Sequence, residues 1–383
     1  MIAPQPFFSP RGTPLSVYYR TTTLAKLGHE TDLLTYPLGQ DVEIPNTEII
    51  RCWNLPFIHD VKIGPSLKKL LLDIFIFFKA IYLLLKNKYD VVFAHEEAVF
   101  FSLAYHYLFG IKYIYDMHSS LPQQLRNFNF TRFRPLVKIF TLLEKYSLLK
   151  ASAVITICGE LKDQVNNCGY TNKHELIQNT LFYPITYAED MLDVDLGRII
   201  NINGKKTVVY AGSFEYYQGL DMYLESIKLI VQNRKDLLFI FIGGRPEQVL
   251  SMRNKSEELN IADHIIVTGT MEVNLVKKFI GSADVLVSPR RMGTNTPLKI
   301  YEYMASGVPI VATDLLTHTQ ELDQNSAFLQ KDDPADFAKG ILYCINDREE
   351  ALRRAKHAYE LYYRKYGENI YKRKIAKIME LVQ

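Results

Sequence analysis

The residues of greatest chemical promise run from Ser288 to Pro309: Ser-Pro-Arg-Arg-Met-Gly-Thr-Asn-Thr-Pro-Leu-Lys-Ile-Tyr-Glu-Tyr-Met-Ala-Ser-Gly-Val-Pro. A strand over Asp284–Ser288 should end in a glycine-bearing loop and lead into a short helix. Thr296 suits the N-cap and Pro297 the first helical position, and Gly307 with Pro309 reads as a stop. The start of such a helix offers backbone N–H groups and a positive dipole end, which together hold phosphate. Lys299 falls in the first turn, where a carboxylate is ordinarily preferred, and Arg290 and Arg291 lie just upstream. Three cations around a positive helix end make poor sense for stability unless an anion rests there, so the segment points to a bound diphosphate. The competing possibility is that Lys299 pairs with Glu302 and the arginines face water. Glu302 lies about one and a half turns into the helix, where a carboxylate can accept hydrogen bonds from paired ribose hydroxyls.

Other segments place polar groups at strand ends. Val208–Asp221 reads as a strand ending in Gly212, a loop with Ser213, Gln218 and Gly219, and a helix from about Leu220. In Phe241–Glu247, Gly243 and Gly244 allow a ligand near the backbone, and Arg245 could stack on a base or reach a phosphate. Val267–Met271, with Thr270, ends the next strand. In the first half, Phe8–Pro14 carries Gly12, a lone glycine that could approach a diphosphate but is no dinucleotide fingerprint. Tyr115–Pro122 contains Asp116 and His118 at a strand's C-terminal end, where α/β proteins bind ligands. There His118 could donate to a sugar hydroxyl or carry a proton, although a lone histidine is more often structural. His95, Glu96 and Glu97 end the preceding strand and are candidates for the same place.

These positions need a scaffold, and the chain supplies the pattern for two. Short β-rich runs alternate with helical segments throughout, which predicts parallel sheets in α/β layers. Strands are expected near Ile2–Ala3, Thr31–Thr35, Glu48–Cys52, Asp90–Ala94, Lys112–Met117, Ala153–Ile157 and Glu175–Gln178. A second set is expected near Thr207–Ala211, Leu237–Ile242, His264–Thr268, Asp284–Ser288, Pro309–Thr313 and Ala327–Leu329. Leu181–Gly204 lacks a period and reads as a connection. The length of 383 residues favours two domains, and 48% hydrophobic residues allow each a core. A net charge of +3 is too mild for nucleic acid. The four cysteines form no CxxC pair and suit a reducing compartment. The N-terminus lacks the basic and apolar regions of a signal peptide. In Leu67–Lys88 the longest uncharged run, Ala80–Leu85, is far too short to span a bilayer. Lys68, Lys79 and Lys86 fall on one helix stripe, so this is either a core helix with a thin solvated stripe or a helix that touches a membrane surface. Phe133–Lys150, with Arg132, Arg134, Lys138, Lys145 and Lys150, poses the same choice.

The Ser288–Pro309 stretch resembles the donor-site signature of glycosyltransferase family 4, of the GT-B type. That family has two glutamates eight positions apart ahead of a Met-Ala-x-Gly-x-Pro-like ending. The second matches Glu302, and the first matches Thr294, a departure that removes the carboxylate expected to meet the transferred sugar; a hydroxyl and the Asn295 and Thr296 amides stand there instead. Val208–Asp221 resembles the family's Gly-Arg…Lys-Gly loop, with both basic residues replaced, by Ser213 and Gln218. Asp116-Met117-His118 matches the family's Asp-x-His. The motifs occur in family order over nearly the whole chain.

The resemblance implies an α/β GT-B fold: two Rossmann-like, doubly wound domains with a cleft between them, spanning residues 1–185 (acceptor side) and 186–345 (nucleotide sugar). Helices over 346–383 would follow, the last packing back on the first domain. It implies a retaining, metal-independent glycosyltransferase of hexosyltransferase type that uses a nucleoside-diphosphate sugar as substrate, needs no cofactor and takes a glycan or lipid-linked acceptor. Asp116, His118 and Glu302 are the expected catalytic groups, Glu302 by binding and not as a nucleophile. Gly12, Gly212, Ser213, Gln218, Gly219, Arg245, Thr270, Arg290, Thr294, Asn295, Thr296, Lys299 and Glu302 are the expected donor contacts. No acidic cluster resembles a metal site. A cytoplasmic location, with peripheral contact at the inner face of the cell membrane, fits the lysine-bearing helices. A UDP-sugar 2-epimerase on the same fold and a degenerate, non-catalytic partner subunit stay open as alternatives.

Overall fold

A computed structural model describes residues 1–8, 12–54, 58–59, 61, 66–122, 134–170, 173–178, 202, 204–293 and 295–382. The chain forms two compact units, Met1–Thr180 with Glu368–Gln383, and Leu181–Gly367. Nearly all of the expected connection, Leu181–Gly204, lies outside the described residues.

The first unit carries β1 (Ile2–Ala3), α1 (Gly12–Lys26), β2 (Thr31–Thr35), β3 (Thr47–Arg51), α2 (Leu67–Lys86), β4 (Val91–His95), α3 (Ala98–Phe109), β5 (Lys112–Met117), α4 (Arg134–Lys150), β6 (Ala153–Thr156), α5 (Gly159–Asn167) and β7 (His174–Leu176). The second carries β8 (Lys206–Ala211), α6 (Leu220–Val231), β9 (Leu237–Ile242), α7 (Pro246–Glu258), β10 (Ile265–Gly269), α8 (Val273–Ser282), β11 (Val285–Ser288), α9 (Leu298–Ser306), β12 (Ile310–Thr313), α10 (Leu316–Thr319), β13 (Phe328–Gln330), α11 (Pro334–Asn346) and α12 (Arg348–Tyr366). The last helix, α13 (Glu368–Glu380), belongs to the first unit.

Both sheets are parallel, in the orders β3-β2-β1-β4-β5-β6-β7 and β10-β9-β8-β11-β12-β13. Each runs outward from a central strand in both directions, which makes two Rossmann-like units with a switch point at β1/β4 and at β8/β11. Burial on both faces explains why β9, Leu-Leu-Phe-Ile-Phe-Ile, is a continuous apolar run with every residue buried. One apolar cluster fills each side of the second sheet, with α9 and α12 on one side and α6 and α11 on the other.

The helix after β11 begins one residue later than the sequence suggests. Pro297 is its N-cap, in an extended conformation, and Leu298 is the first helical residue. Gly307 closes it at φ +68°, the left-handed conformation its position calls for. Gly12, read as part of a loop, lies in the first turn of α1; residues 9–11 lie outside the described residues. The notion of α2 as a core helix with a thin solvated stripe does not hold. Only Leu72, Ile76 and Ala80 are buried, and much of its apolar surface faces outward. Among the described residues no helix is long and apolar enough to cross a membrane.

Candidate active site

Two loops meet at the β8/β11 switch point of the second unit. The loop after β8 turns at Gly212 (φ +151°), and the loop after β11 runs from Pro289 to the start of α9. They are stitched together by the Arg291 N–H, which donates to the Tyr217 carbonyl at 3.0 Å. At Gly219 (φ +70°) a Cβ would lie 2.1 Å from the Pro289 carbonyl oxygen, so only glycine permits this approach.

Lys299 reaches across that junction. Its Nζ sits 3.8 Å from the centroid of the Tyr210 ring and donates to Gln218 Oε1 at 3.2 Å. A Cβ on Gly212 would stand 2.7 Å from the same Nζ. Gln218 Nε2 lies 3.5 Å from Ser213 Oγ, and Tyr210 Oη donates to the Ser213 carbonyl at 2.7 Å. Gly212, Ser213, Gln218, Gly219 and Lys299 are therefore one cluster. Arg290 joins it, its guanidinium 5.2 Å over the Tyr217 ring and its Nε donating to the Met292 carbonyl at 2.7 Å.

The electrostatics of this cluster are unbalanced. Burial pushes the Lys299 ammonium well below its usual pKa, and Arg290 adds to the push. The pull of Glu302 works the other way and does not compensate. Burial raises the Glu302 carboxyl to about 7, against the attraction of Lys277 and Lys299. Among the described residues the cations thus sit in a desolvated place with no ion-paired carboxylate, a condition that a diphosphate would relieve.

Other expected donor contacts lie apart from it or fall outside what is described. Arg245 caps α7 and is paired with Glu215 at 2.9 Å and Glu247 at 2.7 Å, at 60% exposure. Arg291 is paired with Asp332 at 2.7 Å and is thereby withdrawn from the cation group. The Thr270 hydroxyl reaches the Gly244 carbonyl at 3.4 Å and is exposed. Asn295 and Thr296 lead directly into α9, with Thr296 buried, and Thr294 lies outside the described residues.

In the first unit, β4 and β5 deliver His95, Asp116 and His118 to one buried group. His95 Nδ1 and His118 Nε2 lie 3.1 and 3.2 Å from the same oxygen, Asp116 Oδ2. Arg20 from α1 donates to Asp116 Oδ1 at 3.1 Å, to Tyr371 Oη of α13 at 2.7 Å and to the Ile177 carbonyl at 3.3 Å. Burial opposes the Asp116 charge, but Arg20 and then His118 outweigh it and hold its pKa well below the usual carboxylate range. Asp116 is wholly buried, where it holds the two imidazoles and the Arg20 guanidinium. Burial lowers the His118 pKa despite Asp116, with His95 pushing the same way, so His118 favours the neutral form. Glu96 follows at φ +50°, a left-handed conformation rare for a glutamate, and accepts from Ser119 Oγ at 3.1 Å. His95, Asp116 and His118 lie close enough together to hold a metal ion. Arg20 already occupies the carboxylate, and a guanidinium beside a cation is unfavourable.

Several contributors were not read from the sequence. Arg20 is one, although its spacing from Val17 and Leu24 puts it on an apolar stripe of α1, a legible anomaly. Tyr210 and Tyr217, the aromatic platforms beneath Lys299 and Arg290, carry no local signal. His318 is another: its Nε2 lies 2.9 Å from Ser288 Oγ and its Nδ1 2.9 Å from the Thr313 carbonyl, which fixes the end of β11.

The family described as "Glycosyltransferase Family 4" matches residues 10–181, and that described as "Glycosyl transferases group 1" matches residues 205–347. A putative glycosyltransferase of Bacillus subtilis, YtcC, is 25% identical over 165 residues, 41% of this chain and 40% of that protein. The phosphatidyl-myo-inositol mannosyltransferase of Mycobacterium leprae is 27% identical over 111 residues, 29% of each. The chain thus matches less than half the length of these relatives. Among solved structures, Anabaena HepE in complex with UDP superposes with a TM-score of 0.75 over 98% of both chains at 14% identity, a likeness of fold. With the two families matching in sequence order, each on one of two Rossmann-like units, the chain belongs to the group 1, family 4 glycosyltransferases.

Proposed function

We propose that this protein transfers a hexose from a nucleoside-diphosphate donor to a glycan or lipid-linked acceptor, with retention of anomeric configuration and without a metal. The observation that carries this is the buried, unbalanced Lys299 at the β8/β11 switch point. The diphosphate lies against Lys299, Arg290 and the N-terminal amides of α9, and the ribose hydroxyls meet Glu302. Family membership and the complex of HepE with UDP favour a uridine nucleotide.

As the bond from the anomeric carbon to the diphosphate breaks, charge grows on the departing phosphate, and Lys299 and the helix amides stabilise it. The acceptor oxygen bonds to the anomeric carbon from the same face, and its proton passes to the departing phosphate oxygen. The two cations take the part a divalent ion would otherwise play. His118, held by Asp116, orients a sugar hydroxyl. The mannosyltransferase among the relatives, which by its name acts on a phosphoinositide, favours a lipid-linked acceptor at the inner face of the cell membrane. Four cysteines with no CxxC pair among them fit a cytoplasmic site of action.

Calorimetry with UDP, GDP and ADP, followed by donor consumption with and without acceptor, tests this. Affinity for one nucleotide with acceptor-dependent release of its diphosphate is expected. Absence of affinity for all three would favour a degenerate subunit, and interconversion of the UDP-sugar without acceptor would favour an epimerase.

A further inference from the structure

The outward faces of α2, α3 and α4 are apolar where a soluble helix is normally polar. On α2, Leu70, Ile74, Phe78 and Leu85 recur at helical spacing and are 45–71% exposed. On α4 the pattern is inverted: Ile139, Leu142, Tyr146 and Leu149 are 44–59% exposed, while Glu144 and Ser147 point inward. Leu108, near the end of α3, is exposed as well.

These faces form one surface. The Phe77 and Tyr105 rings stack at 5.4 Å and Tyr105 Oη donates to the Phe77 carbonyl at 2.9 Å, which joins α2 to α3. The parallel rings of Tyr107 and Tyr146, with their hydroxyls bonded, join α3 to α4. Monomers rarely keep so many large apolar side chains exposed together without a partner.

The charges decide which partner. Lys68, Lys79 and Lys86 border the apolar stripe of α2, and Lys138, Lys145 and Lys150 that of α4. The only acidic residues of the three helices are withdrawn: Asp73 bonds to Tyr36, and Glu144 bonds to Ser120, the Leu121 N–H and Gln164. Lys79 lies 5.5 Å over the Trp53 ring and Lys150 5.7 Å over the Tyr146 ring, so each long stem lies along an aromatic. Pairing two copies of this surface would set lysine against lysine. A bilayer with anionic headgroups satisfies both components, taking the apolar side chains into its interface and the ammoniums at its phosphates.

We propose that the α2–α3–α4 face docks on an anionic membrane surface by shallow insertion of its apolar side chains, with the lysines at headgroup level. This gives the membrane contact a defined surface, and it stands whether or not sugar transfer does, because neither nucleotide nor acceptor enters the test.

Trp53, the only tryptophan, is half exposed at the border of this face and 6.2 Å from Phe75, so its emission reports docking. With the full chain, phosphatidylcholine–phosphatidylglycerol vesicles should shift that emission to the blue and carry the protein in flotation, and phosphatidylcholine alone should do so weakly. Lys68→Glu, Lys79→Glu and Lys86→Glu together should weaken partitioning by at least a hundredfold, since each lysine contributes about fivefold near an anionic surface. Phe78→Ser with Leu142→Ser should abolish the blue shift while thermal unfolding stays unchanged, because both residues are exposed. No binding of the folded wild type to anionic vesicles at low salt would overturn the proposal. So would a stable dimer by sedimentation that the Phe78→Ser, Leu142→Ser protein cannot form, since the face would then be a protein interface.

Discussion

Replacing Lys299 by methionine should raise the stability of the unliganded protein and remove nucleotide binding together. The side chain is 8% exposed, lies on the Tyr210 ring and donates to Gln218 Oε1 at 3.2 Å. Its pKa is depressed on folding, so the folded state resists protonation. For a lysine the consequence has a definite sign. Stability is undiminished above the unfolded pKa, falls as pH drops from there toward the depressed value, and is lowest below that value. Methionine fills similar volume without the charge. Replacing poorly compensated buried charge by an apolar group is often stabilising by about 1–4 kcal/mol. For a unit of this size about 2 kcal/mol is roughly 4–8 °C in Tm. Against this, a charge-assisted contact to a phosphate contributes about 1.5–3 kcal/mol, and Coulomb attraction at roughly 4 Å with an effective dielectric of about 20 gives about 4 kcal/mol. The expected loss of UDP affinity is on the order of a hundredfold. Differential scanning calorimetry without ligand and isothermal calorimetry with UDP read the two effects separately. A lower Tm with unchanged UDP affinity would refute the reasoning, because Lys299 would then be a structural cation.

Glu302, with its carboxyl near 7, should make binding pH-sensitive: UDP affinity should fall by up to about tenfold between pH 8 and pH 6 as it protonates, and Glu302→Gln should lose that component. Identical profiles for the two proteins would exclude a ribose contact at this carboxylate. Arg20→Met should destabilise by about 3–5 kcal/mol, since it leaves the buried Asp116 charge without its main partner, with denaturant unfolding as the measure. Tyr371→Phe should cost less, about 1–3 kcal/mol, because one guanidinium donor is left without its acceptor. Gly219→Ala should weaken UDP binding and lower Tm together, because the added Cβ would separate the two loops that frame Lys299. An unchanged titration would show that the junction tolerates the gap.

The scaffold was legible in the sequence wherever local pattern sufficed. Strands β2, β5 and β9 have the bounds expected of them, and β9 shows why most plainly: burial on both faces makes it an unbroken apolar run. The donor helix was displaced by a single residue. Thr296 has the side chain of a good N-cap, but Pro297 adopts the extended conformation and takes that place. Lys299, Gly212 and Gln218 were each singled out, yet their meeting depends on the parallel pairing of β8 with β11, across 77 residues of chain. Arg291 was misjudged because its partner, Asp332, lies 41 positions away. The outward apolar face of α2 was hidden for a simpler reason. A helix apolar on nearly every side shows no preferred face, and only the packed structure tells which side the core took.

The place of α13 has a consequence for how the protein emerges during synthesis. The second unit is built from contiguous chain and can complete its core as soon as it leaves the ribosome. The first unit cannot, because Arg20, near the start, keeps one guanidinium hydrogen waiting for Tyr371. The portion translated first is therefore the last to be finished, and a nascent chain arrested short of Glu368 would hold one folded unit behind an incomplete one.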